Sequence, residues 1–365
     1  MINISKPSVG KEEIDAVVNV LESGIFAQGP KTKEFEQEFA KYAGVKYAVA
    51  MNSGTAALHA ALYAVGVREN DEVITTPFTF IATANSILMQ NAKPVFADIE
   101  EDTFNIDASQ IENKITKKTK AILAVDLYGH PYAYDAVKKI ADKHNLKIIE
   151  DACQAVGAEF DGRKCGSLGD IGAFSFYATK NMTTAEGGML TTDNEEYAEL
   201  ARQLRHHGQS EKVRYEYFGL GYNYRMTDIN AAIGLEQMKK INEWNKKRKE
   251  NAAFLSKRLG KINGIKVPAV QKNCTHVFHQ YTIIVKDDFK MKREELMEYL
   301  KQKGVGSGVY YPKPLHLFRH ISKFGYKQGD FPVAEKLSQQ VLSLPVHPNL
   351  SNEELETIAK AFEEI

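Results

Sequence analysis

Cysteine is scarce in this chain of 365 residues: only Cys153, Cys165 and Cys274 occur. An odd number at such wide spacing excludes a disulfide-stapled secreted module and forms no zinc signature; it fits a reducing compartment. Excess charge of either sign is also missing. Lys plus Arg total 47 and Asp plus Glu total 47, so formal net charge is zero and nothing in the balance points to nucleic acid or a membrane surface. No segment approaches the roughly 20 consecutive apolar residues needed to cross a bilayer. The opening MINISKPSVGKEEID has no charged leader followed by an apolar stretch, so no signal peptide is expected and a cytoplasmic location is inferred. What is present is ordinary for a folded protein. Hydrophobic residues make up 43% and charged residues 26%, which excludes disorder and collagen-like repeats. At roughly 150 residues per domain, the length allows two or three domains.

From about residue 45 to 195, short apolar runs alternate with helical patterns. VKYAVAM (45–51), EVITT (72–76), KPVFADI (93–99), KAILAVDL (120–127), LKIIED (146–151), GAFSF (172–176) and GMLTTD (188–193) read as strands. The stretch from Thr55 to Val65 reads as a helix ended by Gly66, and FIATANSILMQ and DAVKKIADKHN also look helical. Alternation of this kind implies βαβ units and a mostly parallel sheet covered on both faces. An earlier amphipathic helix places Ile14, Val17, Val18 and Leu21 on one face, and a second groups Phe35, Phe39 and Tyr42 before Gly44. After about residue 240 the texture changes. INEWNKKRKENAAFLSKRL reads as a long helix, followed by strand-like HQYTIIV (279–285), helix-like REELMEYLKQKG, a Pro-rich stretch and a terminal helix. The boundary is therefore placed near 240, with a smaller α+β domain after it.

Three constellations could carry chemistry. NSGTAALHAAL (52–62) follows a strand and opens a helix. Ser53 or Asn52 can cap that helix, Gly54 lets the backbone approach a ligand, and free N–H groups at a helix N-terminus favour phosphate. Alone, the motif reads more readily as an ordinary capped helix than as a phosphate site. In IIEDACQAVG, Glu150 and Asp151 end a buried strand, and ligands of open α/β sheets sit beyond the carboxyl ends of strands. An acid there can pair with a buried cation, or simply cap the next turn. In SFYATKNMTTAEGGML, Ser175 ends a strand, Lys180 follows five residues later, and Glu186-Gly187-Gly188 leads into another strand. A lysine in such a loop is ordinarily solvated, but this one falls where Asp151 and the helix at Gly54 should converge. Phosphate cradle, acid and lysine are the three parts a pyridoxal phosphate site needs. The helix end holds the phosphate, the acid keeps the pyridine nitrogen protonated, and a partly desolvated lysine forms the Schiff base.

With these motifs the chain resembles the DegT/DnrJ/EryC1/StrS family of pyridoxal-phosphate sugar aminotransferases, which have the aspartate aminotransferase fold (fold type I). The likeness covers nearly the whole chain. It runs through GPKTKEFEQEFAKYAG, NSGTAAL, TPFTFIATANSI, KPVFADI, EDACQAVGA, SFYATKN, EGGM and GYNYRMTDINAAIG to GVYYPKPLHL and LSLPVHP. The resemblance implies an α/β fold. Residues 1–240 would form a large domain with a mostly parallel mixed sheet flanked by helices, and 241–365 a smaller C-terminal α+β domain. It implies Lys180 as the Schiff-base lysine and Asp151 as the acid facing the pyridine nitrogen. Gln154 resembles the residue that bonds near the ring hydroxyl. Gly54, Thr55 and Ser175 match the phosphate donors, and Phe80 the aromatic that stacks on the ring. Asn223 resembles the asparagine that reaches the phosphate from a partner subunit, so a homodimer with shared active sites is implied. Tyr177 departs from the family, where many relatives have His two residues after the serine.

The implied reaction transfers an amino group, by resemblance usually from glutamate, to a nucleotide-linked keto-sugar. GVYYPKPLHL and the segment after it look most like relatives that aminate C3, with the 4-keto position as the alternative. Tyr310, Tyr311 and His316 are candidate sugar contacts, set against the reading that they pack one domain on the other. A dehydratase is disfavoured because there a histidine replaces Lys180. A non-catalytic, cofactor-binding regulator is the competing class, and no DNA-binding segment or basic patch supports it. Other motifs are set aside. GVGSG (304–308) lacks the last glycine of a dinucleotide fingerprint. KKRK (246–249) is flanked by Glu243 and Glu250 on a polar helix face. His316 and His320 have metal spacing but no third ligand, so no metal is expected. His206 and His207 are placed on the surface or in the substrate pocket.

Overall fold

Five apolar strands, each too short and too uniformly hydrophobic to face water on either side, begin the main sheet of this computed structural model. They are β1 (Tyr47–Met51), β2 (Glu72–Thr75), β3 (Lys93–Phe96), β4 (Thr119–Val125) and β5 (Lys147–Asp151). Two more, β6 (Ile171–Ser175) and β7 (Gly188–Thr192), complete it in the order β1-β7-β6-β5-β4-β2-β3. Only β7 runs against the others. The structure describes residues 1–365 except 211, 212 and 214. Helices cover both faces, as the alternating pattern requires. The helix Gly54–Ala64 is apolar all round because it is enclosed by the sheet and by an outer helix, Glu195–Arg205. Burying Leu58 and Leu62 there is worth about 1.5–3 kcal/mol each.

A smaller antiparallel sheet of β8 (Ile265–Lys266), β9 (Tyr281–Val285) and β10 (Val341–Leu344) packs under the helices Ile241–Leu259, Arg293–Gln302 and Asn352–Glu363. The expected long helix is present, with Ile241, Arg248, Ala252, Leu255 and Leu259 buried. The chain's beginning belongs to this layer: Ile2 bridges to Val305 and is buried in its core. The first helix, Lys11–Ser23, is where the pattern and the packing part ways. Its buried residues are Glu13 and Val20, while Ile14, Val18 and Leu21 of the apolar face are 58%, 43% and 49% exposed. Glu13 is buried because it is satisfied, accepting from Gly10 N–H, Gln237 and Lys240. Among the described residues no helix is long and apolar enough to cross a membrane.

The parallel strands place the chemistry. The carboxyl ends of β1, β5 and β6 lie on one edge of the sheet, so the helix starting at Gly54, Asp151 and Ser175 share that edge. The antiparallel return through β7 puts the 176–187 loop, with Lys180, there as well.

Candidate active site

One corner of the edge is built for close backbone approach. Ser53 caps the helix, its Oγ accepting from Ala56 N–H at 3.1 Å. Gly54 and Thr55 form the first turn, whose N–H groups have no partner within the helix. A Cβ on Gly54 would lie 2.7 Å from Ser175 Cβ and 3.0 Å from Cys153 Sγ. One on Gly188 would lie 2.3 Å from the Ser53 carbonyl oxygen. The corner is thus closed to any larger residue at either position, and a helix N-terminus carries partial positive charge.

Opposite this corner stands the acid. Asp151 is buried at the end of β5; its Oδ2 accepts from Thr83 Oγ1 at 2.7 Å and its Oδ1 from Cys153 N–H at 3.3 Å. Thr83 lies 3.1 Å from Thr79, so a short hydroxyl chain fixes the carboxylate's plane. Lys180 is partly buried in its loop, its N–H bonded to the Tyr177 carbonyl at 2.9 Å. Burial pulls its amine below the ordinary lysine value, opposed by attraction to Cys153 and Asp151. The direction favours a neutral, nucleophilic amine. Gln154 completes this wall, its Oε1 accepting from Tyr128 N–H at 2.8 Å.

These groups surround one cavity of about 440 Å³. Of the residues expected from sequence, Gly54, Thr55, Phe80, Asp151, Gln154, Ser175, Lys180, Tyr310 and Tyr311 all line it. Phe80 presents its ring at the mouth, 55% exposed, with Tyr177 beside the same opening. Two expected residues do not line it. His316 is fully buried, its Nε2 3.0 Å from Glu335 and its ring against Phe331, so it fastens the turn at 315–317 to the helix Pro332–Gln340. The residue expected as a sugar contact thus stands off the lining of this cavity. Asn223 is exposed outside the cavity of its own chain, its carbonyl accepting from Asn52 Nδ2 at 3.2 Å. His320 turns to Asn85, and His206 to Arg225 in a separate surface cleft of about 840 Å³. Sequence reasoning missed Thr79, Thr83, Tyr128, Cys153, Glu186 and His279, which line the cavity. For Thr79 and Thr83 the position after β2 was an available signal, since that strand ends on the same edge.

The chemistry of this donor set fits pyridoxal phosphate. A backbone corner that excludes Cβ atoms suits a phosphate, a carboxylate with a fixed plane suits a pyridinium nitrogen, and a depressed amine suits an aldehyde. An exposed aromatic face at the mouth suits a flat ring.

Comparison with known proteins agrees. The model of the DegT/DnrJ/EryC1/StrS aminotransferase family matches residues 7–363. The spore coat polysaccharide biosynthesis protein SpsC of Bacillus subtilis is 42% identical, over 99% of this chain and 96% of its own. The GDP-perosamine synthase of Caulobacter vibrioides is 37% identical, over 100% and 98%. The PLP-form structure of the putative sugar aminotransferase Spr1654 from Streptococcus pneumoniae is 32% identical and superposes with a TM-score of 0.94, covering 100% of this chain and 98% of that one.

Proposed function

This chain belongs to the DegT/DnrJ/EryC1/StrS aminotransferase family and is a pyridoxal-phosphate-dependent sugar aminotransferase, and on that premise we propose that it moves an amino group from L-glutamate to C3 of a nucleotide-linked keto-sugar. The observation that carries the reading is the meeting of Lys180, Asp151 and the Gly54 corner in one cavity. When bound, pyridoxal phosphate supplies an electron sink that makes a C–H bond beside the nitrogen acidic.

The chain's own residues do the rest. Gly54, Thr55 and Ser175 would hold the phosphate, and Phe80 would cover one face of the ring. Asp151 keeps the ring nitrogen protonated, with Thr83 and Cys153 N–H fixing its carboxylate. With the cofactor bound, Lys180 would be the residue that joins it, and its amine would serve as general base and then general acid for the proton at the reacting carbon. Burial lowers its pKa, which raises the share of neutral amine able to accept a proton. Residues that held the ring at phosphate, nitrogen and face would contribute by positioning.

Asn223 acts in the partner's site of a cytoplasmic homodimer. Its exposed place outside its own cavity and the exposed apolar stripe of the first helix support this. Residues 1–240 form the large domain of each protomer and 241–365 the small one, with the first residues of the chain crossing to pack on the small domain at Ile2. The C3 position rests on the likeness of GVYYPKPLHL to relatives of that specificity. The test supplies PLP-loaded protein with glutamate and matched 3-keto and 4-keto nucleotide sugars and reads products by mass. Amination of the 3-keto sugar is expected. Amination of the 4-keto sugar alone overturns the position, and amination of neither overturns the substrate class.

A further inference from the structure

The amide of Gln154 is held at both ends. Its Oε1 accepts from Tyr128 N–H at 2.8 Å, and its Nε2 donates to the Tyr311 hydroxyl at 3.1 Å. Tyr128 cannot yield. It is buried with φ at +59°, its carbonyl accepts from Gln280 N–H at 3.3 Å, and its hydroxyl donates to the Tyr310 carbonyl. Reversing the amide would set Nε2 against the Tyr128 N–H, donor against donor. The amide oxygen is therefore engaged, and Nε2 is the atom offered to the cavity. It carries two protons, and Tyr311 takes one.

Tyr311 also touches the other residue that orients a flat ring. Its ring centroid lies 6.2 Å from that of Phe80, tilted by 39°, and 6.3 Å from that of Phe78, edge-on. Burial pushes its hydroxyl pKa up, so the hydroxyl stays protonated and neutral as a fixed partner for the amide.

We propose that Tyr311 is a positioning residue for the cofactor, not a sugar contact: its hydroxyl fixes the Gln154 amide so that the second Nε2 proton is donated to the ring hydroxyl oxygen of pyridoxal phosphate. This rests on the reading of the cavity as that cofactor's site. The consequence is electronic. A donor at that oxygen stabilises negative charge on it, so the bound cofactor gives up its proton at lower pH. Without Tyr311 the amide is held at Oε1 alone, its Nε2 end loses its fixed direction, the donation weakens and the proton is held to higher pH.

The experiment follows the visible absorbance of PLP-loaded protein against pH, alongside KM for the keto-sugar. Tyr311→Phe is expected to raise the spectral midpoint by roughly half a pH unit or more, with sugar KM within about twofold of the parent. Gln154→Ala should raise it in the same direction. The double variant should go no further than Gln154→Ala, because the two act through one bond. A wild-type midpoint in Tyr311→Phe with a raised sugar KM overturns the proposal in favour of a sugar contact, and additive shifts overturn it too. A parent protein that gains no visible band with pyridoxal phosphate refutes the cofactor reading itself, so the two failures are distinguishable.

Discussion

Gly54 shows how little room a single position can have. The 2.7 Å that a Cβ would leave to Ser175 is well inside any tolerated contact, and Ser175 belongs to the proposed phosphate corner. Gly54→Ala is expected to weaken pyridoxal phosphate binding by about tenfold or more, from overpacking of roughly 1–3 kcal/mol. Unchanged affinity in a fluorescence titration would contradict this. A second acidic group has no part in the chemistry above. Asp126, Glu150 and Cys165 are buried with ligand atoms within 4.8 Å of one another. Burial raises the pKa of both carboxyls, with repulsion from Glu150 adding to the shift of Asp126 and hydrogen bonds from Leu168 and Gly169 N–H partly relieving Glu150. Above the ordinary carboxyl value of about 4, the folded protein therefore retains protons that the unfolded chain releases, and stability falls as pH rises through the raised values. Glu150→Gln keeps an acceptor for those two N–H groups and should flatten the fall of Tm with pH; an unchanged slope would contradict it. At this scale the sequence disclosed Gly54, Asp151 and Lys180, because each stands at a strand end or loop whose local pattern is readable. It could not disclose that Thr83 grips Asp151 or that Tyr311 grips Gln154, because those pairs are 68 and 157 residues apart. That His316 turns to Glu335 and away from the cavity was hidden for a related reason: residue type was visible, and the direction of the ring was not.

Among elements, the first helix is the most instructive. Periodicity found the stripe of Ile14, Val18 and Leu21, and the stripe is real, but it faces away from its own chain. Period alone says that a face is apolar, not what covers it. In the proposed homodimer a second copy covers it. Leu21→Asp is then expected to weaken self-association by about tenfold or more while leaving the far-ultraviolet spectrum unchanged, since the residue is 49% exposed in the protomer. Sedimentation showing the parent's oligomeric state would contradict this. The strands of the main sheet were legible because burial on both faces makes continuous apolar runs. The two-residue strands Glu159–Phe160, Arg163–Lys164 and Cys274–Thr275 were not, because two residues carry no period.

For the molecule as a whole, the site exists only because distant segments meet. Gly54 follows β1, Asp151 ends β5, Lys180 lies before β7, and Tyr310 and Tyr311 come from the C-terminal third of the chain. The alternating strands and helices foretold the shared edge, while the family likeness, not the periodicity, named which side chains to expect there, and most of them line the cavity. The account stands on Lys180 being the one lysine that joins the cofactor. The direct measurement is borohydride reduction of the PLP-loaded protein, followed by peptide mass mapping. The account predicts a phosphopyridoxyl group on the peptide carrying Lys180 and nowhere else, lost in Lys180→Ala. A label fixed to another lysine, or none at all, would contradict it.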